Sequence, residues 1–345
     1  MSLTLESTET SKNTLPHTID EGRVLEEYST KTIIIFTNII IDIEKFFKFM
    51  PILDLAMECK NNRKKRFKDL WHIEDIIDDI PDESIISMKW NNKTRGLIFK
   101  TASVVRNTNK NKKKRDEFFL NSVTTNMIFK YKNKSGVFSK KLVNIKITKT
   151  GKFQITGCKD DDLAIRAVQF LSIMNKVQQW TGQKLFSVSN EIQNMKLKKQ
   201  ENIPDNQKNI YMILQTVMKN RNVHVGMNIN RTALDQLINQ NYDNYISIFD
   251  GTTSGAGVNI KTKVEENDEE DLIFIGLDCN GNKIESRILE KGDFAVAKSK
   301  KQSYHTFLCF NGGSCIHSGK GKNMTKVFND FLELLQEHRE EIEDK

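Results

Sequence analysis

One unit occurs twice in this chain, and the duplication restricts the fold more than any other feature of the sequence. The first copy, residues 143–171, reads VNIKITKTGKFQITGCKDDDLAIRAVQFL. Val143, Ile145 and Ile147 alternate with polar residues, the period of a strand with one buried face. Thr150-Gly151-Lys152 supplies a tight turn, because Gly151 can take a positive φ. Phe153, Ile155 and Gly157 continue as a returning strand. Asp160-Asp161-Asp162 then offer N-cap and first-turn chemistry, and Ala164, Ala167, Val168, Leu171 and Met174 recur at helical spacing. The second copy lies about 160 residues later. There 306–321 reads TFLCFNGGSCIHSGKG, and 313–320 lies over 151–158. Val327, Phe328, Phe331, Leu334 and Leu335 form the stripe of a following helix. Each copy reads as strand, turn, strand, amphipathic helix.

The rest of the chain arranges itself around these copies. Residues 1–30 are polar and aperiodic and are expected to form a disordered arm. The first repeat spans 31–195. It opens with a β-branched strand over 32–43, a helix over 44–55, a solvated loop at Arg63-Lys64-Lys65-Arg66 and an acidic helix over 70–80. Strands follow over 84–99 and 118–131, separated by a basic insertion near 103–116 that contains NTNKNKKKR. A polar linker with Pro204 occupies 196–208. The second repeat, 209–338, begins with a strand-like stretch over 210–230. Thr232-Ala233-Leu234-Asp235 resembles a capping box ahead of Leu237 and Ile238. A Gly-rich loop at 251–257 precedes strands over 258–263 and 272–277. Between those strands lies an acidic insertion near 264–271, placed on the rim or outside. Residues 284–303 read as an insertion, and 339–345 as a charged tail.

Composition narrows the function. Lys and Arg number 53 against 45 Asp and Glu, a net charge of +8 and a pI near 9.0. That permits a polyanionic partner without requiring one. The five cysteines include no C-x-x-C pair, and the six histidines show no metal-ligand spacing, so no metal or other cofactor is expected. His305 and His317 fall on adjacent strands of the second hairpin and read as a packed pair. No apolar run is long enough to span a membrane, and the odd cysteine count without a signal peptide places the chain in a reducing, intracellular compartment. Phosphate-loop, zinc-protease and nucleophile-elbow motifs do not occur, and no catalytic residues are assigned; an enzyme is not expected, and no small-molecule substrate is implied.

The doubled unit resembles the TATA-binding protein family, and more closely the TATA-binding-protein-like transcription factors of nucleocytoplasmic large DNA viruses. The resemblance rests on Met88-Lys89-Trp90 with Arg95-Gly96, Asn121-Ser122-Val123-Thr124, 150–159, Ile229-Asn230-Arg231, Gly257-Val258-Asn259-Ile260-Lys261 and 307–319. It implies an α+β, pseudo-symmetric saddle: a curved antiparallel sheet from two repeats, helices on the convex face, and insertions. It also implies double-stranded promoter DNA as partner, with RNA polymerase or other initiation factors bound to the helical back. If the chain is viral, the compartment is a viral factory, the host nucleus or a virion. In the family, the concave face enters the minor groove and apolar wedges bend the duplex.

The four wedge phenylalanines of the family fall at Phe310, Thr148, Glu83 and Gly255, so one is kept. The groove-facing threonines fall at Thr156 and Ser318, and the central asparagines near Thr32, Asn38 and Asn220. Alternation adds Lys152 and Gln154 beside Thr156, and Ser314 and Ile316 beside Ser318; Lys146 joins them as a cation on the same hairpin. The expected function is a transcription initiation factor that binds A·T-rich promoter DNA. The alternative is a protein-interaction platform of the transcription machinery that kept the fold and lost the groove reader.

Overall fold

A computed structural model describes residues 28–53, 76–97, 121–132, 136–158, 166, 169–192, 195–196, 209–253, 255–265, 268, 270–278, 283–289 and 302–344. Its strands are β1 (Thr30–Thr37), β2 (Ile39–Ile41), β3 (Ser84–Trp90), β4 (Lys93–Gly96), β5 (Ser122–Lys132), β6 (Phe138–Thr148), β7 (Lys152–Cys158), β8 (Phe186–Val188), β9 (Glu191–Ile192), β10 (Met195–Lys196), β11 (Ile210–His224), β12 (Tyr245–Ile248), β13 (Val258–Lys263), β14 (Leu272–Leu277), β15 (Lys283–Leu289), β16 (Tyr304–Cys309) and β17 (Ser314–Gly319). Its helices are α1 (Ile43–Phe49), α2 (Gln169–Thr181), α3 (Arg231–Asn241), α4 (Met324–Glu337) and α5 (Arg339–Ile342). The fold is α+β, mostly antiparallel sheet with few helices.

The chain divides into two compact units. The larger holds the described residues of Thr30–Lys219 and Glu270–Ser299; the smaller holds those of Met1–Ser29, Asn220–Glu269 and Lys300–Lys345. The chain passes from one to the other inside β11. Strand order in the larger unit is β11-β1-β7-β6-β5-β3-β4, with β14 attached to β11 and β15 to β14. In the smaller it is β12-β13-β16-β17-β11. Thus β1-β7-β6-β5-β3 and β11-β17-β16-β13-β12 follow one order: the first strand of each series lies beside the second strand of the glycine-turned hairpin, then the series is read backwards.

Two kinds of local chemistry build this order twice. Gly151 and Gly313 turn the β6–β7 and β16–β17 hairpins at φ 69° and 75°. Each is packed against main chain, since a Cβ would stand 2.2 Å from the carbonyl oxygen of Ile39 at Gly151 and of Met227 at Gly313. Neither position admits another residue without movement. After the first strand, each unit starts a helix on an Asx cap. Asp42 accepts from Lys45 N at 3.0 Å, and Asn230 accepts from Ala233 N at 3.1 Å. The cap of α3 is therefore Asn230, and Thr232 lies in its first turn. A short Asn carbonyl reaches the exposed N–H groups as well as a hydroxyl does.

Alternation gives each sheet one buried face. In the larger unit Ile33, Ile35, Val143, Ile145, Ile147, Phe153 and Ile155 are buried against Phe46 and Phe47 of α1 and Phe170, Leu171 and Met174 of α2. In the smaller, Val258, Ile260, Phe307, Cys309 and Cys315 meet Phe328, Phe331, Leu334 and Leu335 of α4, with the Phe307 and Phe331 rings stacked 3.9 Å apart. Each such ring contributes roughly 1.5–3 kcal/mol by leaving water.

Several elements differ from the sequence expectation. Helix α1 stops at Phe49, with Met50 extended before Pro51, because a residue ahead of proline avoids the helical region. Of the acidic helix expected over 70–80, the described part holds a 3-10 turn at Ile77–Asp79, and residues 70–75 lie outside the described residues. Also outside the described residues lie the helix start expected at Asp160, the basic runs at 63–66 and 107–115, the linker at 197–208 and the N-terminal arm up to residue 27. Within 284–303, the described part is the strand β15. The acidic stretch is not wholly peripheral. Asp268 is buried, where one carboxylate oxygen accepts from Asn323 N at 2.9 Å and the other lies 3.9 Å from His305 Nε2. It anchors the chain entering α4, and that structural use outweighs the cost of burying the charge.

Candidate nucleic-acid interface

The residues between the core positions face away from the helices. On β6 and β7 these are Asn144, Lys146, Thr148, Lys152, Gln154 and Thr156, all half-buried. Pairing aligns them in rows. Thr124, Lys146, Gln154 and Ile34 form one, and Asn126, Asn144, Thr156 and Thr32 the next. Asn144 Nδ2 donates to Asn126 Oδ1 at 2.9 Å, and Asn126 Nδ2 donates to Ser87 Oγ at 2.8 Å. A chain of amides thus crosses the face, held in one orientation by its own hydrogen bonds. Lys152 Nζ stands 5.5 Å from the Phe36 ring centroid, and Lys89 is exposed opposite Thr124.

The smaller unit presents a different face. Thr306 pairs with Ser318 and Leu308 with Ile316. Asn259 and Lys261 of β13 extend these rows, followed by Ile248 and Ile246 of β12, which are 55% and 46% exposed. Phe310, with its N–H bonded to Ser314 O at 2.9 Å, closes the hairpin on the same alternation. This face mixes aliphatic side chains with hydroxyls, Asn259 and Lys261, where the other is mainly amide, hydroxyl and ammonium.

The structure sorts the residues expected from sequence. Lys146, Lys152, Gln154 and Thr156 come together on one open face, and Phe310, Ser314, Ile316 and Ser318 on the other. Thr148 lies on the first face, but its hydroxyl accepts from Lys152 N at 3.1 Å and so ties the turn. Thr32 is in the row yet buried. Asn38 does not belong to an open face. It is 1% exposed; its Nδ2 donates to the carbonyls of Ser189 and Asn209, and its Oδ1 accepts from Tyr211 N at 2.8 Å. The end of β1 needs those ties, so the amide is committed inside the fold. Asn220 is half-buried on β11, its carbonyl accepting from Ser29 N at 2.8 Å. Glu83, at a wedge position of the resemblance, is paired with Arg166 at 2.8 Å, while Gly255 turns a loop at φ 76°.

Sequence reasoning missed Ser87, Lys89, Asn126, Asn144, Ile246, Ile248, Asn259, Lys261 and Leu308. Their signal was parity: each stands one residue from a core position of its own strand. Register supplied the rest.

Charge is distributed unevenly. None of β1, β3 to β7, β11 to β13, β16 and β17 contains an Asp or Glu, whereas they carry many Lys and Arg. Carboxylates lie instead on helices, among them Asp235, Asp330, Glu333 and Glu337. A polyanion approaching the open faces meets no strand carboxylate.

Beneath the smaller face is a buried polar group. His317 Nε2 and His305 Nδ1 are 3.3 Å apart, the Phe307 ring stacks on His317 at 4.4 Å, and Arg221 lies 4.7 Å from the Phe328 ring centroid. Burial first, then His305 and Arg221, push His317 down to about 3; burial lowers His305 as well, with Asp268 opposing. Both rings are therefore neutral packing groups at neutral pH. The Cys309 and Cys315 sulfurs are 3.2 Å apart, and their hydrogen bond together with burial raises the Cys309 thiol. Among the described residues, no group of three or more His, Cys, Asp or Glu could hold a metal ion, and no helix is long and apolar enough to cross a membrane.

No protein-family model and no curated protein matches this sequence.

Proposed function

We propose that the chain is a DNA-binding transcription initiation factor with a TATA-binding-protein-like fold. It lays its open sheet faces on A·T-rich promoter DNA from the minor-groove side, and offers its helices to RNA polymerase or to other initiation factors. The observation that carries this reading is a strand order used twice, with open faces whose strands hold cations and amides and no carboxylate. Polyanion binding needs that sign of charge, and amides and hydroxyls suit the acceptor pattern of A·T pairs in the minor groove. The faces imply unequal work. Lys146, Lys152, Gln154, Asn144 and Thr156 position the duplex, and Phe310 with Leu308 and Ile316 presses apolar surface against base steps. With Thr148 where the family carries a wedge ring, the bend is smaller than one made from both ends.

The test is a titration of A·T-rich and G·C-rich duplexes at several salt concentrations. Expected are preference for A·T, affinity that falls steeply with salt, and a salt slope reduced by about one for each of Lys146→Ala and Lys152→Ala. Absence of any complex at low salt overturns the reading. The exposed Ile246 and Ile248 favour one other reading, a protein-docking platform on the same fold. It predicts no duplex complex but recovery of initiation proteins, lost in Ile248→Lys.

A further inference from the structure

Strand β15 is an exposed edge. Among the described residues it pairs only with β14, and every residue from Lys283 through Ile288 is exposed. Its two faces differ. Arg287 lies opposite Phe274, its guanidinium 5.3 Å from that ring centroid, and Leu289 is buried against the same cluster. On the other face, Ile284 and Ile288 are 55% and 61% exposed, yet Ile288 lies opposite Ile273 and Ser286 opposite Ile275, which belong to the apolar core side of β14. An aliphatic row thus runs out of the core and ends exposed on a strand with one edge unpaired among the described residues.

The sequence of the strand, KIESRIL, is complementary to itself when reversed about Ser286. We propose that β15 pairs antiparallel with β15 of a second copy of this chain, about a twofold axis through Ser286. That register sets Ile284 of one copy opposite Ile288 of the other. It sets Glu285 of one opposite Arg287 of the other, and each contact occurs twice by symmetry. A shift by one residue would place each aliphatic side chain on the wrong face, so the pattern fixes the register. A free strand edge supplies the main-chain hydrogen bonds, and the opposed charges select a second copy over an arbitrary strand.

The full chain without DNA is sedimented over a concentration series. Wild type is expected to dimerise reversibly. Glu285→Arg and Arg287→Glu each face like charges at both symmetric contacts, and each is expected to weaken association by about tenfold or more. An equimolar mixture of the two variants restores opposite charges and is expected to form dimers again, as is the double swap E285R/R287E. Arg287 also lies over the Phe274 ring, so each variant is melted first, and association is compared only between variants that remain folded. A wild type that stays monomeric at every concentration overturns the proposal. So do dimers that survive both single swaps, or folded variants that neither mixing nor the double swap returns to dimers.

Discussion

The two units share a construction and differ in what they place on it. Both run first strand, Asx-capped helix, antiparallel strands, glycine-turned hairpin and long closing helix, in one strand order. Yet the core of the larger unit is mainly aliphatic, methionine and phenylalanine with the single thiol of Cys158, whereas that of the smaller admits two histidines, two thiols and Arg221. The open faces are reversed in character: amides, hydroxyls and lysines in the larger unit, with isoleucine, leucine and phenylalanine prominent in the smaller. The difference teaches that this architecture depends on a few backbone positions, and that face chemistry is free to diverge around them. A turn glycine packed against a carbonyl has no substitute, while any side chain of suitable size and parity fills a face.

Four measurements break or sharpen that comparison. The largest effect is expected from the closing helices. Phe170→Ala in α2 and Phe331→Ala in α4 each remove a fully buried ring and should cost about 3–5 kcal/mol in denaturant unfolding. A large cost at only one helix would end the equivalence.

Acid should separate the units next. The described histidines all lie in the smaller unit, and His317 is held down to about 3. Between that value and the ordinary 6.5, the unfolded chain takes up the proton that the folded chain refuses. Stability of this unit is thus complete above pH 6.5 and falls below it by about 1.4 kcal/mol per pH unit for that ring. Monitoring unfolding against pH should show the loss, and His317→Phe should flatten it.

The turn glycines come third. Gly151→Ala and Gly313→Ala each force a Cβ against a carbonyl from the left-handed region and should cost about 1–3 kcal/mol. A neutral result at either shows that its hairpin is held by something else. The smallest effect is at the caps, where Asp42→Ala and Asn230→Ala should each cost about 1 kcal/mol by thermal melting. An unequal pair there leaves the strand order intact and limits the equivalence to the sheet.

Much of the fold was legible. Strands 258–263 and 272–277 were read to the residue, since short β-branched runs bounded by Gly or acidic residues have few other uses. The hairpin glycines were read because positive φ is a local demand. The amphipathic stripe of α4 was read because its period is local too. The site was legible in part. Alternation placed Lys152, Gln154 and Thr156 together, and likewise Ser314, Ile316 and Ser318. It did not reveal Asn126 and Asn144, whose strands could only be ranked against β7 once register was known. Asn38 was misplaced because a strand-end asparagine looks alike in sequence whether it faces solvent or ties three segments together. Asp268 was misplaced because an acidic run gives no sign of which carboxylate turns inward.

By itself, the sequence determined the repeated unit, its turns and the alternation that gives each strand a wet and a dry side, because these depend on neighbours within a few residues. Tertiary structure alone decided which strands lie side by side, which asparagines meet across them, and that, among the described residues, the strand from Lys283 to Leu289 keeps an edge open. Those outcomes depend on residues far apart in the chain, whose pairing is selected by the packing of the whole core rather than by the preference of any one segment.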